Sequence, residues 1–232
     1  MIFEQLFDAK SSTYTYIISS GKGREALIID PVIENTNEYI KILKNIDLRL
    51  VKVIDTHIHA DHISGLNELS KRTSCSKIMG EQSCCEVLDI CVKDNDKIKI
   101  ENIELISMYT PGHTDCSYSF LMNDRVFTGD TLLINGTGRT DFQSGNSHHA
   151  YDSLFNKLLK LPEKTLVYPA HDYNGKKYST IENEKNNNPR LQVKSAKEYA
   201  DIMNNLNLEN PKMMDVAVPA NIKGITLNEV NK

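Results

Sequence analysis

The chain has 232 residues, 40% of them hydrophobic and 25% charged, which excludes a disordered chain and allows a core without disulfide staples. Lys and Arg number 27 against 31 Asp and Glu, so the formal charge of −4 argues against a nucleic-acid binder that grips phosphates along a basic face. Five cysteines give no even disulfide framework, and no apolar run is long enough to cross a bilayer. The start, Met1-Ile2-Phe3-Glu4, lacks the basic and apolar parts of a leader, so a soluble cytoplasmic protein with no membrane partner is expected.

Residues 14–18 and 25–30 are β-branched or aromatic runs parted by Gly21-Lys22-Gly23, a turn signal, and predict two strands. Asn35 with Glu38 reads as a capping box, after which Tyr39, Ile42, Leu43 and Ile46 share one helical face. Residues 50–54 form a short apolar strand that stops at Asp55-Thr56-His57. A helix is expected over 63–71, with Leu66 and Leu69 inward. Another is expected around Cys84, Cys85, Val87, Leu88 and Cys91, with its thiols buried as small hydrophobes. Strands follow at 98–100, 103–106, 118–122 and 125–128, the last two joined by a turn at Asn123-Asp124. A helix is expected over about 150–160, with His148 and His149 on the surface before it, then a strand at 166–168. Ser179 with Glu182 and Ser195 with Glu198 are capping boxes, predicting a short helical tail from about 179. No low-complexity linker divides the chain, so residues 1–232 are expected to form a single domain.

The chemistry concentrates at predicted strand ends. Thr56-His57-Ile58-His59-Ala60-Asp61-His62 puts three imidazoles and a carboxylate directly after an apolar strand. These are the N and O donors that borderline first-row metals accept. Thr110-Pro111-Gly112-His113, Phe127-Thr128-Gly129-Asp130 and Tyr168-Pro169-Ala170-His171 repeat the pattern, with small or stiff residues that let the backbone turn closely. Five of the seven histidines thus fall at strand ends. Cys116, three residues after His113, is expected near the same place.

In their order, His57, His59, Asp61, His62, His113, Asp130 and His171 resemble the metallo-β-lactamase superfamily. That resemblance implies an α/β fold, the αββα four-layer sandwich with metal at one edge. The stretch from Thr128 to Gln143, with Gly138-Arg139-Thr140-Asp141-Phe142 inside it, resembles the persulfide dioxygenase family within the superfamily. So do His171-Asp172-Tyr173-Asn174-Gly175, Asn188-Pro189-Arg190-Leu191 and Asp215-Val216-Ala217-Val218-Pro219-Ala220-Asn221. The sequence departs from the family at Thr137 and near Lys223, where many relatives carry Cys.

The family resemblance implies one Fe(II) per chain on His57, His113 and Asp130, a facial triad with open positions for substrate and O₂. His59, Asp61, His62 and His171 would then orient the ligands by hydrogen bonds. The implied reaction oxidises glutathione persulfide with O₂ and water to sulfite and glutathione. Arg139 and Tyr173 are candidates to meet the glutathione carboxylates, with a loop ion pair to Asp141 as the competing role for Arg139. A homodimer is expected, as is a rhodanese in the same pathway. The ligands alone equally fit two zinc ions, as in a glyoxalase-II-type hydrolase. His57, His59 and His113 would hold one ion, Asp61, His62 and His171 the other, with Asp130 bridging.

Overall fold

The computed structural model describes residues 1–209, 211 and 213–230. They form two compact units, which are described separately.

The first unit comprises residues 1–92, 97–104 and 210–232. It holds β1 (Ile2–Asp8), β2 (Thr13–Ser19), β3 (Glu25–Ile29), α1 (Thr36–Asn45), β4 (Arg49–Ile54), α2 (Leu66–Thr73), β5 (Ser76–Gly80), β6 (Ile90–Val92) and β7 (Lys97–Ile100). Its sheet has the order β1-β2-β3-β4-β5-β6. The first three strands are antiparallel, joined by tight turns. From β3 onward the pairs are parallel, so α1 and α2 carry the chain back between β3, β4 and β5. Every residue of β2 is buried, as a central strand requires. In α1, Tyr39 and Leu43 are buried, and the Tyr39 hydroxyl meets Thr15 Oγ1 at 3.0 Å. Leu66 and Leu69 are the buried residues of α2, as their spacing predicts.

Two expectations in this unit fail. Asn35 caps no helix with its side chain: a 3-10 turn over Ile33–Asn35 precedes α1, and Asn35 Nδ2 donates instead to Asp8 Oδ1 at 3.0 Å. The helix expected around Cys84–Cys91 is a loop ending in β6. Lys77 and Asp89 exchange main-chain and side-chain hydrogen bonds, which draws the segment onto the sheet edge. Ile90 and Cys91 lie exposed on that edge strand; Cys84 is exposed in the loop and Cys85 half-buried, its thiol pushed by burial to about 11.

The second unit comprises residues 93–96 and 105–209. It contains nearly all of β8 (Ile103–Tyr109), then β9 (Tyr118–Leu121), β10 (Arg125–Gly129), β11 (Leu132–Leu133), β12 (Gly136–Thr137), α3 (Ser147–Asp152), β13 (Leu166–Pro169), β14 (Ser179–Thr180), α4 (Ile181–Asn187) and α5 (Ala196–Asn204). Its strands run β14-β13-β10-β9-β8, with β10 and β13 parallel and β9 and β10 joined by the two-residue turn at Asn123-Asp124. A core cluster of Val126, Leu132, Leu154, Leu158, Val167, Ile181 and Tyr199 packs its helices on the sheet. The helix expected over 150–160 starts earlier, at Ser147, and loosens into a π turn over Ser153–Lys157 and a 3-10 turn over Leu158–Lys160. Asn146 caps it, accepting from the N–H groups of His148 and His149, both exposed.

Ser195 caps α5 as expected, while Thr180 rather than Ser179 caps α4 at Asn183 N–H. Ser179 donates instead to the fully buried carboxylate of Glu184. Beyond α5, α6 (Met214–Lys223) and α7 (Leu227–Val230) belong to the first unit, where Ala217 and Ala220 pack on Ile33 and Ile63. No described helix is long and apolar enough to cross a membrane.

Candidate metal centre

In the first unit the loop leaving β4 carries His57, His59, Asp61 and His62. Parallel sheets present such loops at the carboxyl ends of their strands, where the chain is free to turn side chains toward a ligand. Asp30, just past β3, organises the loop. It is buried and adopts a left-handed backbone conformation at φ 50°. Its carboxylate accepts from Thr56 N–H at 2.7 Å, from Thr56 Oγ1 at 3.0 Å and from His59 Nε2 at 3.1 Å.

Because the Thr56 hydroxyl donates to Asp30, the 3.0 Å contact between Thr56 Oγ1 and His57 Nδ1 is donated by the imidazole. That bond fixes the tautomer that leaves His57 Nε2 as a lone-pair donor for a metal. His62 Nδ1 donates to Asp61 Oδ2 at 2.9 Å, and Thr13 Oγ1 donates to the same oxygen at 3.2 Å. Donor atoms of His59, Asp61 and His62 lie within 4.8 Å of one another.

Two further residues complete the frame. Asn221 of α6 donates through Nδ2 to the carbonyls of His59 at 2.9 Å and His62 at 3.0 Å, and accepts from Ser64 N–H at 2.8 Å. Asp55 is buried with its Oδ1 lacking any hydrogen-bond partner. Burial and the nearby Asp30 carboxylate push its carboxyl up to about 8. Asp30 stood in the sequence as an acid at a strand end, the same grammar that marked the other sites. Asn221 carried no such signal.

In the second unit His113, Asp130 and His171 follow β8, β10 and β13. Gly112 makes the turn before His113 at φ 143°, so tight that a Cβ there would lie 2.3 Å from Ala150 Cα. Ala170 N–H donates to the Gly129 carbonyl at 2.9 Å, tying the end of β13 to that of β10. His113 Nε2 lies 3.6 Å from Asp130 Oδ2, and His171 Nε2 lies 3.7 Å from Asp130 Oδ1. Both distances exceed a hydrogen bond. Asp130 Oδ1 is buried with no hydrogen-bond partner. A buried carboxylate oxygen without a donor, facing imidazole nitrogens beyond hydrogen-bonding range, fits a divalent cation better than a closed polar network. His113 Nδ1 donates to the Arg139 carbonyl at 2.8 Å, which leaves its Nε2 as the lone-pair donor.

The remaining candidates lie around this group. The Arg139 guanidinium forms a bidentate pair with Asp141, both contacts at 2.7 Å, donates to the Glu209 carbonyl at 2.7 Å and stacks over Phe142 at 4.0 Å. The same pairing holds the Asp141 carboxyl below the usual carboxylate range. Tyr173 is 72% exposed, its ring nearly parallel to that of His171 at a centroid distance of 6.2 Å. Cys116 is buried, its Sγ 3.3 Å from Thr114 Oγ1.

The family model described as metallo-beta-lactamase superfamily matches residues 9–90 and 87–171, reaching into both units. Persulfide dioxygenase ETHE1, mitochondrial, of Mus musculus is 41% identical over 226 residues, covering 96% of this chain and 88% of that protein. Hydroxyacylglutathione hydrolase of Dictyostelium discoideum is 32% identical over 187 residues, covering 75% of this chain and 68% of that protein. Among solved structures, ETHE1 from Myxococcus xanthus matches with a TM-score of 0.93 at 47% identity, covering 96% of this chain and 98% of the other. The expected αββα sandwich is therefore the fold found, and the chain belongs to the metallo-β-lactamase superfamily, in its persulfide dioxygenase family.

Proposed function

We propose that the chain is a sulfur dioxygenase that oxidises glutathione persulfide. The reaction balances as one persulfide, one O₂ and one water giving one thiol, one hydrogensulfite and one proton. The likeness to persulfide dioxygenases over nearly the whole chain carries this reading. Under this reading one Fe(II) would be held by His57, His113 and Asp130. Such an ion would supply open positions for O₂ and the outer sulfur and would stabilise the charge that develops in oxygen transfer.

The chain's own residues prepare that chemistry. Asp30, through Thr56, holds a proton on His57 Nδ1, and the Arg139 carbonyl holds one on His113 Nδ1. Each imidazole is thereby locked in the tautomer that offers Nε2 to a metal. Under this reading His59, Asp61 and His62, which pack in the same loop as His57, and His171, which faces Asp130 at 3.7 Å, would orient the ligands rather than hold the ion themselves. Tyr173, whose exposed side chain has its ring beside that of His171, is the candidate to contact the substrate. Arg139 acts chiefly through its carbonyl, since its guanidinium is engaged by Asp141 and Glu209.

A second reading is supported by the tight grouping of His59, Asp61 and His62, which could hold a further ion. That reading is a dinuclear zinc hydrolase of a glutathione thioester. Iron and zinc per chain in anaerobically purified protein, with O₂ uptake on glutathione persulfide, separate the two. One iron and O₂ uptake support the dioxygenase. Two zinc ions, no uptake and rapid hydrolysis of S-lactoylglutathione overturn it. Asp130→Ala is expected to lose metal and turnover together, and a variant that keeps both sinks the ligand assignment.

A further inference from the structure

The Asn188-Pro189-Arg190-Leu191 segment takes no part in the chemistry above, yet its side chains reach toward it. The hairpin of β11 and β12 runs directly into Gly138 and Arg139, whose carbonyl accepts the proton of His113 Nδ1. Nearly every residue of that approach is gripped from α4, α5 or the turn between them. Asn135 N–H donates to Glu184 Oε2 at 2.9 Å. The Gly136 carbonyl accepts from Asn188 Nδ2 at 2.9 Å, and that amide also donates to Glu184 Oε2 at 2.8 Å. The Thr137 hydroxyl meets the Tyr199 hydroxyl at 2.9 Å, and the Thr137 carbonyl accepts from Arg190 Nη1.

Two of these groups are costly choices for stability alone. Glu184 is fully buried and accepts from four groups: Ser179, Asn183, Asn188 and Asn135 N–H. Arg190 is half-buried and, among the described residues, pairs with no carboxylate; it spends its side-chain bond on a main-chain carbonyl. A buried carboxylate and a cation aimed at a carbonyl hold geometry better than they hold the fold together. We propose that Arg190 and Glu184 are positioning residues for the metal centre: they fix the β11–β12 hairpin so that the Arg139 carbonyl holds His113 in its ligating tautomer. This rests on the reading of His113 as a metal ligand.

The test uses the full-length, metal-free protein titrated with Co(II), following binding and the visible d–d bands, with urea midpoints measured alongside. Arg190→Met is expected to weaken Co(II) binding about 10- to 100-fold, the usual scale for partners of a ligand, and to shift the bands. Arg190→Lys, which can still donate to the Thr137 carbonyl, should recover part of both. A lowered urea midpoint with parental binding and bands means a merely structural role and overturns the proposal. Should Arg190→Met fail to fold, Glu184→Gln and Arg190→Lys are judged by the same readouts. His113→Ala separates the two layers of inference. If it binds Co(II) as the parent does, the ligand reading falls. If it loses Co(II) while Arg190→Met matches the parent, only the positioning role falls.

Discussion

Alanine at Gly138 would test the metal centre at its closest packing. The added Cβ would lie 2.0 Å from the Asp130 carbonyl oxygen and 3.0 Å from Cβ and Cγ of His113. Gly138 is not among the residues with a left-handed backbone, so alanine brings steric conflict without conformational strain. To reach even the tightest contact real Cβ atoms show, one side must retreat by roughly 1 Å, and both sides carry residues of the site. A misplacement of about 1 Å at a reacting centre costs on the order of 100-fold in rate, and overpacking a tight site costs about 1–3 kcal/mol. Gly138→Ala should therefore lower kcat with glutathione persulfide about 100-fold, read by O₂ electrode, while urea unfolding of the metal-free chain falls by only about 1–3 kcal/mol. A variant that holds its metal and turns over at the parental rate would refute the claim that this contact sets the geometry of His113 and Asp130.

Asp55 predicts a pH dependence. Its carboxyl titrates at about 8 in the folded chain, against about 3.9 when unfolded, so the folded state binds the extra proton between those values. Its contribution is fully present below about pH 4 and is lost as pH rises through about 8, a change of up to about 6 kcal/mol. Denaturant titrations of the metal-free protein from acid to mildly alkaline pH should show that decline, and Asp55→Asn should flatten it; an unchanged slope would discount Asp55. Asn221→Ala removes three hydrogen bonds from the His59–Ser64 loop and should destabilise the chain by about 2–4 kcal/mol with loss of metal, measured by urea unfolding and metal content. Ser195→Ala removes only the cap of α5 and should cost about 1 kcal/mol while metal content and turnover stay parental.

The candidate ligands were legible because metal ligation needs particular side chains, and these recur just beyond apolar strands. The groups that hold the ligands were harder to see. Asp30 is a lone acid at a strand end, and its role depends on a loop 26 positions away. Asn221 acts on carbonyls 159 and 162 positions away, and an amide that binds main chain leaves no composition signal. The Cys84–Cys91 segment was misread because short apolar spacing does not separate a helix from an edge strand. Ser76–Gly80 begins with polar residues, so β5 gave little warning of itself, though its last three residues are buried. Arg139 illustrates the difference between residue type and use: a cation near the candidate ligands suggested a contact to a carboxylate of the substrate, but its guanidinium meets Asp141 and its carbonyl meets His113.

Asn221 also sets a timetable for synthesis. The His57–His62 loop leaves the ribosome about 160 residues before the amide that ties its carbonyls together. At about 5–20 residues per second that interval is on the order of ten seconds or more. During it, the His59 and His62 carbonyls and the Ser64 N–H wait for their partner while the imidazoles beside them are already made. The ties from Asn221 can therefore form only after the C-terminal segment has been delivered, well after the motif itself has emerged.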